Sequence, residues 1–302
     1  MSKRSWGGAG AVMLFLFAGS GWAADESHAD HAKDQAVTPP SPAPAVEPGL
    51  PPAEAAAKAT LEASPRHGEY ADVKVPGGSP VRTWVSYPER KDKAPVVIVI
   101  HEIFGLSDWI RSVADRLAAD GFIALAPDLI SGKGPGGGGT ESAGDRDAVV
   151  GLIRGLATDE VVQRLDAVRG YGIGLPAANG RSATLGFCWG GARSFGYAGA
   201  QPALNAAVVY YGSAPEDAQL PSIHAPVLGL YGGDDARITT TVEPTAAAMK
   251  RLGHVYESEI YKGAGHGFLR NQTDRDGANL AATRQAWPRT LAFLRSHLEA
   301  AR

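Results

Sequence analysis

Gly186-Phe187-Cys188-Trp189-Gly190-Gly191 is the stretch on which the fold turns. Before it, Ser182 to Phe187 reads as a strand. After it, Gly190 to Ala198 reads as a helix. A Gly-x-nucleophile-x-Gly run between a strand and a helix is the pattern of a nucleophile elbow, here with cysteine in place of serine. A turn that tight leaves no room for side chains two residues before and two after the nucleophile, and it lifts the nucleophile above the sheet. A thiol placed there sits at a helix N-terminus, whose partial positive charge is expected to favour the thiolate.

Outward from the elbow, the chain alternates between strand and helix patterns. Tyr70 to Val75 and Val81 to Tyr87 alternate apolar and polar residues around Pro76-Gly77-Gly78, which predicts an antiparallel hairpin. Pro95 to Ile100 is a continuous apolar run, the mark of a strand buried on both faces. A helix is expected from about Trp109 to Ala119, and a strand from Phe122 to Leu125. Gly132 to Gly139 lacks the Gly-Lys-Ser/Thr ending of a phosphate loop and is expected to be a mobile loop. One helical stretch is read from about Asp145 to Arg169. Strands follow at Ala206–Tyr211 and Pro226–Tyr231, a helix at Thr241–Leu252, an extended segment at Tyr256–Tyr261 and a last helix at Asn279–Leu298. This order predicts a mostly parallel sheet with helices on both faces and a site at the carboxyl ends of its strands.

A thiol of ordinary pKa is only a few per cent ionised at neutral pH, so it needs a base. His266 lies in Gly265-His266-Gly267-Phe268, a glycine-rich loop after the last strand, where the backbone can approach a site closely. The acid should end the strand between nucleophile and base. Tyr231-Gly232-Gly233-Asp234-Asp235 offers two aspartates, and the spacing Gly232, Asp235, Ile238 favours Asp235, with Asp234 facing solvent or capping a turn. Such an acid fixes the imidazole tautomer and stabilises the imidazolium that forms. Ile100-His101-Glu102-Ile103-Phe104-Gly105 ends the first buried strand. Backbone N–H groups of Ile103 and Trp189 are the expected oxyanion donors, each typically worth about 3 kcal/mol of barrier. Glu102 is expected near the thiol.

The 302 residues suit one large α/β domain, and 20% charged residues is ordinary for an enzyme. Lys3 and Arg4 precede an uncharged stretch from Gly7 to Trp22 with an apolar core at Ala11–Ala18. Gly21-Trp22-Ala23 supplies the small residues of a cleavage site. Residues 1–23 therefore read as a secretory signal peptide cleaved after Ala23, with a retained membrane anchor as the less favoured reading; cleavage implies a periplasmic or secreted protein without stable membrane insertion. Cleavage would leave 27 basic against 32 acidic residues, about −5 in place of the full chain's −3. No basic stripe marks a nucleic-acid partner. Residues 24–65, rich in Ala, Pro, Asp, Glu and His, are expected to be a disordered linker, and residues 66–302 the folded domain. Cys188 is the single cysteine, so an internal disulfide is excluded, and a lone thiol in an exported protein calls for an explanation.

Taken together, His101-Glu102-Ile103-Phe104-Gly105, Gly186-Phe187-Cys188-Trp189-Gly190-Gly191 and Gly265-His266-Gly267-Phe268 resemble the dienelactone hydrolase family of the α/β-hydrolase superfamily, from roughly Pro65 to Arg302. Pro127-Asp128-Leu129 is also similar, with Asp128 in a structural role. The resemblance implies a Cys188–His266–Asp235 triad that opens an unsaturated lactone through an acyl-thioester. It implies that Glu102 holds the resting thiol away until substrate arrives and then accepts its proton, and that Arg270 binds a substrate carboxylate. The family's second substrate arginine falls within residues 131–154 and is left unassigned. The expected partner is a small ester or lactone, with no sign of a metal or organic cofactor. A general carboxylesterase, a thiol redox protein and a non-catalytic envelope protein stand as alternatives, the redox reading weakened by the lack of a resolving cysteine.

Overall fold

Seven α-helices, four short 3-10 helices and eight strands are described over residues 46–299 in the computed structural model. The expected signal peptide of residues 1–23 and the first part of the expected linker lie outside the described residues. The eight strands form one sheet in the order β1-β2-β4-β3-β5-β6-β7-β8. β1 (Gly68–Val73) and β2 (Val81–Ser86) form the hairpin, and β2 pairs antiparallel with β4 (Ile123–Pro127). Every pairing from β4 through β3 (Ala94–Ile100), β5 (Ala178–Phe187), β6 (Ala206–Tyr210), β7 (Val227–Gly232) and β8 (Tyr256–Tyr261) is parallel.

The continuous apolar run of β3 is explained by its place. All seven of its residues are buried, because helices cover both faces of the sheet. One face packs against α4 (Thr158–Ile173), α5 (Trp189–Ala200) and α6 (Ala236–Arg251), and the other against α2 (Asp108–Ala119) and α7 (Ala278–Leu298). α2 starts where Ser107 accepts from the Ile110 N–H, an N-cap that satisfies one orphan donor.

Three expectations need correction. The linker does not run to residue 65, because Glu54–Glu62 is a helix, α1. Its composition is linker-like, yet Leu50, Ala56 and Ala57 are buried against the domain. Trp109 Nε1–H also donates to the Pro52 carbonyl at 3.0 Å and the Gln272 side chain to the Pro51 carbonyl at 2.9 Å. Tertiary contacts thus order a segment whose own apolar content would not. Second, the helix read over 145–169 is two helices, α3 (Arg146–Arg154) and α4, broken at residues 155–157. Third, the loop 132–139 is anchored. The Asp128 carboxylate accepts from Thr140 N–H at 2.6 Å and from Thr140 Oγ1 at 2.8 Å, and Thr140 Oγ1 in turn accepts from Leu106 N–H at 3.0 Å. A structural Asp128 thereby ties the glycine-rich loop to the end of the 101–105 segment. No described helix is long and apolar enough to cross a membrane.

Candidate active site

Cys188 stands between β5 and α5 at φ 54°, ψ −115°, a backbone conformation a side chain rarely adopts. Such strain costs about 1–3 kcal/mol and persists only where the surroundings over-determine it. Here they do. A Cβ on Gly186 would lie 2.0 Å from the Gly190 carbonyl oxygen, and one on Gly190 would lie 2.3 Å from the carbonyl oxygens of both Ile100 and His101. The Cys188 N–H donates to the Tyr210 carbonyl at 3.0 Å, fixing the turn against β6.

The turn after β7 carries Asp235, and the loop after β8 carries His266. His266 Nδ1–H donates to Asp235 Oδ2 at 2.5 Å, which leaves Nε2 as the basic nitrogen. Asp235 is buried, whereas Asp234 is exposed and pairs with Arg275 at 2.9 Å. The His266 loop lies directly on β7, since a Cβ at Gly232 would come within 2.4 Å of the Gly265 carbonyl oxygen. Asn279 holds the same loop by accepting from the Gly265 N–H at 2.9 Å. The His266 ring packs 5.0 Å from that of Tyr211.

The β3 end supplies the third part. His101 is fully buried; its Nδ1–H donates to the Glu102 carbonyl at 2.7 Å and its Nε2 accepts from Leu129 N–H at 3.2 Å. Burial holds its pKa below the ordinary histidine value, so it is a neutral strut, stacked 5.5 Å from Trp189. Glu102 is buried at 3% exposure, and its Oε2 lies 2.7 Å from Arg270 Nε. That N–H is not aligned with the oxygen, so the contact is one of charge more than of hydrogen bonding. Burial pushes the Glu102 carboxyl up to about 7 against the pull of Arg270. Arg270 also pairs with Glu54 of α1 at 2.5 Å. Its guanidinium and that of Arg146 both lie over the Phe104 ring, at 5.1 and 3.6 Å.

The thiol answers to these surroundings. Burial first, and then the nearby Glu102 charge, push Cys188 up to about 11, against the opposing help of the Trp189 N–H, Arg237 and Arg270. The thiolate expected from the helix N-terminus is therefore not the resting form, because desolvation outweighs the helix end. Cys188, Trp189 and Ile103 line a cavity of about 1040 Å³ that extends over α5.

Tyr211 was not legible in the sequence. It follows β6 at φ 40°, lines the same cavity, and its buried hydroxyl has no hydrogen-bond partner among the described residues. Burial, with Glu102 adding to it, keeps that phenol well above the ordinary range, and thus neutral. The only trace in the sequence was its position after a buried strand.

A strained strand-to-helix turn carrying Cys188 after β5, Asp235 after β7 and His266 in the loop after β8, on a mostly parallel sheet, form the arrangement of an α/β-hydrolase. The dienelactone hydrolase family model matches residues 81–298, and the chain belongs to that family. The Salmonella typhimurium protein named "Putative carboxymethylenebutenolidase" is 34% identical over 228 residues, covering 72% of this chain and 83% of the relative. The Escherichia coli K12 protein of the same name is 33% identical over 222 residues, 70% of this chain and 80% of that one. A Klebsiella pneumoniae crystal structure described as "Putative Dienelactone Hydrolase" superposes with a TM-score of 0.66 at 29% identity, covering 75% of this chain and 97% of that one. The chain is thus an ester or lactone hydrolase by family.

Proposed function

We propose that the protein hydrolyses a carboxylic ester or lactone, of the dienelactone type or a larger one, through a Cys188 acyl-thioester. One observation carries the reading: a strained elbow raises Cys188 into a cavity beside the sheet end where Asp235 and His266 are joined at 2.5 Å. The resting thiol is neutral, so attack requires its proton to leave as substrate arrives. Glu102, poised at about 7, is the group beside the sulfur suited to accept it at neutral pH, and His266 is the base for the later steps. The sulfur then bonds to the carbonyl carbon. The resulting oxyanion is held by the N–H groups of Trp189 and Ile103, the former released from its resting contact with the sulfur. Collapse breaks the C–O bond, and the leaving oxygen takes the proton that Glu102 accepted, which restores the carboxylate. Water attacks the thioester, giving its proton to His266, and the thiol is restored.

Arg270 and Arg146, both against Phe104, suit a substrate carboxylate, and Arg146 is the candidate for the second arginine expected within residues 131–154. The Tyr211 hydroxyl is free to donate to substrate. A peroxide-sensing role for Cys188 fits poorly, because sensor thiols are ionised at rest and this one is pushed up to about 11. Export to the periplasm or beyond is part of the proposal. It rests on residues 1–23, and a new N-terminus at Ala24 on the exported protein would bear it out.

The test is turnover of p-nitrophenyl acetate and of a dienelactone by the wild type, Cys188→Ala and His266→Ala. Both variants are expected to lose at least about a hundredfold, the low end for acid–base help. Undiminished turnover by Cys188→Ala would remove the thiol from the mechanism.

A further inference from the structure

The cavity beside Cys188 is far larger than a compact lactone requires. At about 1040 Å³ it is at the upper end of the range of roughly 300–1,000 Å³ that holds drug-sized ligands. From Ile103, Cys188 and Trp189 it runs along α5 toward α4 and the turn at Asp217–Ser222. Its floor is made flat by small residues of α5, such as Ala192 and Gly196. Val162 and Leu165 of α4 and Ile223 add apolar wall.

Three arginines also line it: Arg154, Arg193 and Arg237. Glu216 is the one acid in the lining. None of the three arginines forms an ion pair with any described residue, although the described chain contains seventeen ion-pair contacts. Arg193 is the most telling. It lies one helical turn beyond Trp189, its guanidinium 5.1 Å from the Trp189 ring. Nη1 donates to Thr158 Oγ1 at 3.1 Å, and the buried Nε–H has no partner among the described residues. Burial pulls its pKa down from the ordinary arginine value without a carboxylate to offset the cost. A half-buried cation that is left unpaired is retained at a cost in free energy, and an incoming anion would recover it. In a chain of net charge −3 this is a local arrangement, not a generally basic surface.

We propose that this groove selects esters or lactones that carry an apolar extension ending in an anionic group, with Arg193 as the specificity-determining cation and Arg154 and Arg237 as its supports. The proposal rests on the hydrolase reading for its catalytic consequence, and it is distinct from the Glu102–Arg270 side of the sulfur. An apolar chain of several carbons would lie over Ala192 and Gly196 between α4 and α5. Its terminal carboxylate would meet the Arg193 fork, a geometry suited to paired hydrogen bonds.

Two matched pairs of esters test this: mono-p-nitrophenyl suberate against p-nitrophenyl octanoate, and an ω-carboxyalkyl acetate against the alkyl acetate of equal length. The second pair covers a groove that takes the alcohol part. The readout is the ratio of kcat/KM within each pair. In one orientation the carboxylated ester is expected to be preferred by at least about tenfold, the lower end for a hydrogen bond to a charged group. That ratio should collapse toward one in Arg193→Leu and be partly kept in Arg193→Lys. No preference in either orientation, or a preference that survives Arg193→Leu, would overturn the proposal. Calorimetric binding of octanoate against octanamide reads the same groove without chemistry. Octanoate should bind more tightly to the wild type, and the advantage should vanish in Arg193→Leu. Failure to hydrolyse even p-nitrophenyl acetate would sink the hydrolase reading, while the binding measurement would still decide the groove.

Discussion

The two sides of Cys188 treat positive charge in opposite ways. On the β3 side, Arg270 is held between the carboxylates of Glu102 and Glu54. On the α5 side, Arg154, Arg193 and Arg237 face a cavity with Glu216 as the single acid in its lining. The paired side sets proton affinities. It keeps a buried carboxyl near neutrality, and that carboxyl in turn helps to keep the thiol protonated. The unpaired side is available to a ligand, with Arg237 also pulling the thiol's pKa down.

The largest effect should come from breaking the compensation. Arg270→Leu leaves the Glu102 carboxylate buried and alone, a loss of about 3 kcal/mol of stability by analogy with other broken buried pairs. The loss should be about 1 kcal/mol greater at pH 8 than at pH 5, because a Glu102 that titrates near 7 can protonate instead. Urea unfolding at the two pH values measures it, and equal losses would mean that Arg270 does not serve to offset Glu102.

Next in size is Glu102→Gln. The folded-state pKa of Glu102 is raised, so its contribution to stability is full below the ordinary value of 4.5 and is lost as pH rises through about 7. The glutamine carries no such loss. Relative to wild type, the variant should therefore gain on the order of 2 kcal/mol between pH 5 and pH 8, from a shift of this size. The same variant should lose the rise in kcat/KM through about pH 7 that an accepting Glu102 confers. An unchanged profile would exclude Glu102 as the first proton acceptor.

The strap over this side can be removed. Deleting α1 should lower Tm by roughly 5 °C, at about 2–4 °C per kcal/mol for a domain of this size. Thermal unfolding followed by circular dichroism measures it, and an unchanged Tm would make the burial of Leu50, Ala56 and Ala57 energetically idle. The smallest effect belongs to Glu54→Ala. The Glu54 charge adds to the upward push on Glu102, so its loss should move the kinetic limb to lower pH by a fraction of a unit, as expected for a half-exposed charge. A shift to higher pH would contradict the electrostatic account.

The parallel sheet and the order of nucleophile, acid and base were legible because they depend on local rules. Apolar runs mark strands buried on both faces, and glycines mark the places where backbone meets backbone, as at Gly186, Gly190 and Gly232. The choice of Asp235 over Asp234 followed from spacing, and the structure joins Asp235 to His266. The helix α1 was not legible, since its alanine-rich composition gains its burial only from α2 and the 270–272 segment. The resting state of the thiol was misjudged for a related reason. A helix N-terminus can be read locally, but the desolvation and the Glu102 charge that outweigh it come from other strands.

By itself, then, the order of residues determined the backbone plan and which side chains stand at the sheet's carboxyl edge, because hydrophobic periodicity and steric limits act between near neighbours. Only tertiary structure decided what those side chains are charged with and what faces them: Arg270 between two acids, Arg193 with none, the Tyr211 hydroxyl unpartnered. Burial and through-space charge join residues far apart in the chain, and their balance exists only once the chain has closed around them.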